Sequence, residues 1–110
     1  MGYFWRSGDR DPVDMFPGIR RRLVSTGDRA MAIHVELARG SSLPSHSHPH
    51  EQIGFVVSGK LRFNVAGETM LLQGGDGYSI PGGVVHSVEE VAEDSVVVDI
   101  FSPLREEYLS

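Results

Sequence analysis

An all-β fold is predicted for this chain of 110 residues, and three observations predict it. Thirteen glycines and six prolines punctuate the chain with turns and leave little room for long helices. Between those breaks run short segments in which apolar and polar residues alternate, the two-residue period of half-buried strands. Eight or nine such segments can be counted along the sequence, and they suit a closed antiparallel barrel or jelly roll, which leaves few sheet edges open. The length allows one domain with one core.

Residues 1–18 mix Tyr3, Phe4 and Trp5 with Gly, Asp and Pro and show no periodicity. They read as an N-terminal arm, a loop or edge-pairing segment, ahead of a barrel domain over residues 19–110. Three adjacent aromatic side chains need cover, from the barrel rim or from another subunit. Residues 19–25 make a strand that ends at the turn Thr26, Gly27, Asp28. Met31, Ile33, Val35 and Leu37 then alternate with Ala32, His34, Glu36 and Ala38 up to the stop at Gly40. Residues 46–65 suggest two strands joined by a hairpin at Ser58, Gly59 and Lys60, with Ile53, Phe55 and Val57 facing one way and Leu61, Phe63 and Val65 continuing that alternation. A turn at Ala66 and Gly67 leads into a strand over 69–72, and strands over 78–80, 86–91 and 95–102 follow. The tail from Pro103 is expected to turn once as a helix over one end of the barrel.

Charge and composition narrow the function. The net charge is −5 and the only basic cluster is Arg20, Arg21 and Arg22, so no nucleic-acid partner is expected. There is no cysteine, hence no disulfide, and any metal must be held without thiolates. The N-terminal segment has neither a cleavable apolar core nor a spanning run, so no membrane association and a cytoplasmic location are expected.

One constellation carries chemistry. His46, His48, Gln52 and His86 follow one another at intervals of two, four and thirty-four residues. On a strand, His46, His48 and Gln52 share parity and can face one ion, and His86 can close the site from a distant strand. Imidazole nitrogens and an amide oxygen suit one divalent transition ion. Three neutral imidazoles and a neutral amide leave that ion's charge uncompensated, which favours an anionic or chelating ligand. Glu51 has the opposite parity, His50 follows Pro49 and reads as a rim residue, and His34 reads as a surface histidine. Asp99 is the second unusual residue, a carboxylate within Val96, Val97, Val98, Ile100 and Phe101. Burying it unpaired costs several kcal/mol. Either it projects toward the metal beside Phe101 with its pKa tuned for proton transfer, or it pairs with an arginine of the 20–22 cluster or sits at an exposed edge.

The glycines and proline around the quartet fall at fixed offsets. Gly40 lies six before His46 and Gly59 seven after Gln52; Gly75, Pro81, Gly83 and His86 follow at steps of six, two and three. These two blocks resemble the paired signatures of the cupin superfamily, with fifteen residues between Gly59 and Gly75. Gln52 replaces the usual glutamate, and Glu90 stands where asparagine is common. With the run from Asp99 through Arg105 to Leu109, the chain resembles the small single-domain cupins of the pectin-degradation type, the KdgF-like proteins. That resemblance implies a single-domain cupin jelly roll, one divalent manganese, iron, nickel or zinc ion held by His46, His48, Gln52 and His86, a catalytic Asp99, and Arg105 on a uronate carboxylate. The expected partner is a small anionic sugar or keto acid, and the expected activity is a metal-dependent lyase or isomerase that converts a 4,5-unsaturated uronate into its linear keto form. Arg20 and Arg22 share parity and are candidates for the same grip, with Phe101 beside the substrate. A homodimer is expected from the resemblance and the aromatic arm. An iron-dependent dioxygenase and a non-catalytic metabolite-binding cupin are the alternatives.

Overall fold

The computed structural model describes residues 2–109, so the outermost residue of the arm and of the barrel domain lie outside the described residues. The described residues form eight strands: β1 (Val13–Phe16), β2 (Ile19–Thr26), β3 (Met31–Leu37), β4 (Leu43–His46), β5 (Glu51–Val65), β6 (Glu68–Gln73), β7 (Gly77–Ile80) and β8 (His86–Ser102). All pairings are antiparallel, in the order β1-β2-β3-β8-β5-β6, with β4 also on β8 and β7 on β5. The all-β jelly-roll expectation holds.

Two long strands decide the architecture. β5 and β8 pair along their whole lengths, from Glu51↔Ser102 to Val65↔His86. The C-terminal half of β8 also pairs with β3, and the N-terminal half of β5 with β7, which gives one layer. The other halves pair with β4 and β6 to give the second layer. The layers meet at a bend where register shifts between Val56 and Leu61.

This bend corrects the hairpin expected at Ser58, Gly59 and Lys60. The chain does not reverse there, because both halves of β5 follow the same neighbour, β8. Gly59 takes φ +96°, and a Cβ on it would overlap Ser95 and the Asp94 carbonyl. Ser95 stitches the bend by accepting the Lys60 N–H at 3.0 Å and donating its hydroxyl to the Glu93 carbonyl at 2.7 Å. The inserted residues reverse the alternation. Gln52, Gly54 and Val56 face inward before the bend, and Leu61 and Phe63 after it. Ile53, Phe55 and Val57 therefore point outward and do not continue into the Leu61 and Phe63 face. Likewise, the two strands expected over 86–91 and 95–102 are one strand, β8.

The core fills the space between the layers with Ile33, Val56, Leu61, Ile19 and Val91, all at most 1% exposed. Each fully buried aliphatic side chain of this kind contributes about 1.5–3 kcal/mol. In the arm, β1 extends the sheet at the edge of β2, and Trp5 packs against the core with the Arg10 guanidinium 4.6 Å from its ring centroid. Tyr3 and Phe4 stay uncovered. The tail makes a short 3-10 turn, Glu106–Tyr108, whose Tyr108 is buried edge-on to Phe101. Among the described residues no helix is long and apolar enough to cross a membrane.

Candidate metal and proton-transfer site

Three histidines converge at one end of the barrel. His46 ends β4, His86 begins β8 directly opposite it, and His48 lies in the loop before β5. Strand parity thus accounts for Gln52 but not for His48, which the loop delivers. One ring nitrogen from each histidine can be chosen so that all three lie within 4.8 Å of one another.

Backbone carbonyls set the tautomers. Nδ1 of His46 donates to the Pro44 carbonyl at 2.9 Å, Nδ1 of His86 to Val84 at 2.8 Å, and Nδ1 of His48 to His50 at 3.1 Å. A carbonyl can only accept, so each Nδ1 carries the proton and each Nε2 keeps a lone pair. Nε2 of His86 is buried with no partner. Nε2 of His48 lies 3.1 Å from Oε1 of Gln52. Donors bound to one ion at about 2.1 Å stand roughly 3.0 to 3.4 Å apart, so this pair has the spacing of two ligands, and the orphaned nitrogen lacks the partner that a cation would be.

Electrostatics agree with neutral ligands. Burial lowers the pKa of His86 to about 4, against the opposing effect of its bond to Val84. Burial, and then the Arg105 charge, lower that of His48. Both shifts favour the neutral imidazole, protonated on Nδ1 and with Nε2 free to ligate.

Asp99 belongs to the same cavity. It projects inward from β8, 7% exposed, and burial raises its pKa to about 6 although hydrogen bonds from Tyr78 and Gln52 and the Arg105 charge act to lower it. The Tyr78 hydroxyl donates to Oδ1 at 2.5 Å. The bond to Gln52 fits an amide whose Oε1 turns to His48 and whose NH2 turns to Asp99. Asp99 is thus neither at an edge nor paired with the 20–22 cluster.

Arg105 follows β8 and roofs the cavity. Its side chain is 13% exposed, with the guanidinium 4.1 Å from the Tyr108 ring centroid and 5.3 Å from that of Phe101. Nε donates to Glu107 at 2.6 Å. Phe101 stands edge-on to His48, with ring centroids 5.6 Å apart. The interior space between these groups is about 40 Å³, enough for an ion and a few waters. Outside it, a cleft of about 750 Å³ is lined by His48, His50, Arg105 and Glu107. Arg105 borders both.

The other candidates go elsewhere. Arg20 and Arg22 sit on the outer face of β2, since Ile19 and Leu23 take the inner one; Arg20 pairs with Asp14 at 3.5 Å. They are not brought to the cavity. A groove of about 850 Å³ beside Arg20, Asp14 and Glu36 holds none of the histidines. Of the cluster it is Arg21 that turns toward the barrel end, 4.4 Å from the Tyr108 ring centroid. Glu51 is exposed, His50 lies at the rim, and His34 lies across from Arg22 and Val98 on the outer face. Sequence reasoning missed Tyr78. The available signal was its parity with Ile80, because a tyrosine hydroxyl turned inward needs a partner and Asp99 needs a donor.

Comparisons with known proteins accord with this geometry. The cupin-domain family profile matches residues 33–101. The pectin degradation protein KdgF of Dickeya dadantii (strain 3937) is 34% identical over 93 residues, covering 84% of this chain and 84% of that protein. The structure of KdgF from Halomonas sp. superposes with a TM-score of 0.88 at 35% identity, covering 97% of this chain and 98% of that one. An RmlC-like cupin from Shewanella frigidimarina NCIMB 400 superposes with a TM-score of 0.90 at 27% identity, covering 98% and 96%. With two-layered antiparallel sheets, three converging histidines and these relatives, the chain belongs to the cupin family.

Proposed function

We propose that this protein is a metal-dependent isomerase or lyase that opens the ring of a 4,5-unsaturated uronate, as its similarity to KdgF proteins suggests. The observation that carries the reading is Asp99: a buried carboxyl with pKa near 6, in the cavity lined by His46, Gln52 and His86. A proton carrier works best with a pKa near the working pH. Bound by His46, His48, Gln52 and His86, a divalent ion would supply Lewis acidity toward substrate oxygens.

The protein's own groups account for the rest. Arg105 keeps its Nη edge available while Nε is held by Glu107, and that edge suits a uronate carboxylate arriving through the outer cleft. Phe101 and Tyr108 flank the guanidinium and limit water around it. The resting space at Asp99, about 40 Å³, is smaller than a sugar, so the Arg105 roof must move aside to admit the ring; Asp99 as carboxylate then takes the proton of the anomeric hydroxyl. The electron pair of that O–H bond forms the aldehyde C=O, and the bond from the anomeric carbon to the ring oxygen breaks. The ring oxygen becomes an enolate across the existing double bond. Asp99 then returns the proton to C4, which leaves a ketone at C5. The product is an isomer of the substrate and Asp99 ends as it began.

The test is incubation of metal-loaded protein with unsaturated galacturonate, followed by loss of the conjugated absorbance and by NMR of the keto product. Acceleration over buffer is expected, with and without oxygen, which separates this chemistry from a dioxygenase. No acceleration overturns it.

The working form proposed is a homodimer. The outer face of the first layer presents Ile53, Phe55 and Val57, each about half exposed (49%, 48% and 49%), next to Ile100. Arg20, Arg22, Glu36 and Glu51 edge this face with both signs of charge, the self-complementarity that a two-fold pair requires. Phe55→Lys is expected to halve the mass measured by light scattering. An unchanged mass places the interface elsewhere.

A further inference from the structure

Tyr78 has no part in the ligand set or in the carboxylate grip, yet its hydroxyl donates to Oδ1 of Asp99 at 2.5 Å. Three features show that the pairing is built. Tyr78 enters from β7 with its ring 4.3 Å from that of Phe63, which fixes the ring before any substrate is present. Opposite, β5 places Gly54, paired in register with both Tyr78 and Asp99. A Cβ at Gly54 would overlap both the Asp99 carboxylate oxygen and the Tyr78 ring. Glycine at that position is therefore the condition for the two side chains to meet across β5.

Accepting two donors constrains a carboxylate. Oδ1 is engaged by the Tyr78 hydroxyl, and the Gln52 amide supplies a second bond from the metal side. From this geometry we infer that Tyr78 is a positioning residue, which holds Oδ1 of Asp99 and thereby aims Oδ2 at the substrate. The inference rests on the proton-transfer role proposed for Asp99, and it deepens that role. Tyr78 itself neither gains nor loses a proton in the cycle. Burial and the neighbouring carboxylate keep its hydroxyl protonated, since both push its pKa well above the usual tyrosine value. A misplacement of about 1 Å at a reacting group can cost on the order of 10²-fold in rate, which sets the scale of the effect.

Tyr78→Phe keeps the ring on Phe63 and removes only the hydroxyl. Its kcat is expected to fall by about 10²-fold, with KM and bound metal unchanged. In the Asp99→Asn background the same change should cost nothing further, because Tyr78 acts only through that carboxylate. Equal kcat for Tyr78→Phe and the parent, or a full additional loss in the double variant, overturns the inference. A second measurement does not depend on the substrate. A crystal structure of Tyr78→Phe should show the Asp99 carboxylate rotated or in two conformers, where the parent has one. A single unchanged conformer overturns the inference even if another substrate proves to be the right one. Failure of the parent to open uronates would instead fall on the proposed function alone.

Discussion

Two polar clusters share one cavity and are finished to different degrees. At one end, His46, His48 and His86 have their Nδ1 protons tied to backbone carbonyls, while Nε2 of His86 has no partner and Nε2 of His48 faces an oxygen lone pair. At the other, Asp99 is satisfied by Tyr78 and Gln52 before anything binds. Buried groups left unsatisfied cost on the order of 1–3 kcal/mol each, and a cation is one partner that the histidine end could hold to complete it. The aspartate end needs nothing more and is pre-organised. Gln52 joins them, with its carbonyl toward the histidines and its amide toward the carboxylate. A glutamate there would set a second carboxylate against Asp99 and supply no donor, which gives a physical reason for the departure from the usual cupin glutamate.

The division between the ends can be broken by substitution. Asp99→Asn should lower uronate turnover by about 10²- to 10⁴-fold while metal content by mass spectrometry stays at the parent level. Loss of metal together with activity would show that the two ends are not separable. His86→Ala is the converse. It should release the ion from the purified protein, measured as metal per chain, and leave the Tyr78 to Asp99 bond intact in a crystal structure.

Acidity sharpens the contrast, because the two ends respond to pH with opposite sign in the metal-free protein. His86 has a folded pKa of about 4 against 6.5, so its burial is favourable above 6.5 and its contribution is lost as pH falls toward 4. Asp99 has a folded pKa of about 6 against 3.8, so its contribution is full below 3.8 and is lost as pH rises toward 6. Asp99→Asn should therefore gain stability relative to the parent as pH climbs from 4 to 7, by at most about 3 kcal/mol, in urea melts at each pH. A difference independent of pH would contradict the burial of an ionisable Asp99. The smallest effect is expected at the roof: Arg105→Lys should raise KM for the uronate with little change in kcat, because the ammonium keeps the charge but loses the planar fork.

Much of the site was legible in the sequence because its signal is local. Strand alternation put Met31, Ile33, Val35 and Leu37 in the core, and the spacing of His46, His48 and His86 marked three histidines that the fold brings together. An aspartate inside a run of valines marked itself as exceptional. The errors arose where one strand's orientation depends on another. A bulge of a few residues near Gly59 turned an expected hairpin into a bend and reversed which side chains face the core after it. The parity shared by Arg20 and Arg22 was correct, but pairing with β3 aimed that face outward and gave the barrel end to Arg21.

The sequence alone thus determined the fold class, the histidine group and the odd carboxylate, since residue chemistry and short-range periodicity are properties of contiguous chain. Only the tertiary structure decided that Tyr78, Gly54 and Asp99 meet, and that Gln52 stands between the carboxylate and the histidines. Those meetings depend on the register of β5 against β7 and β8, which is fixed by packing between segments tens of residues apart.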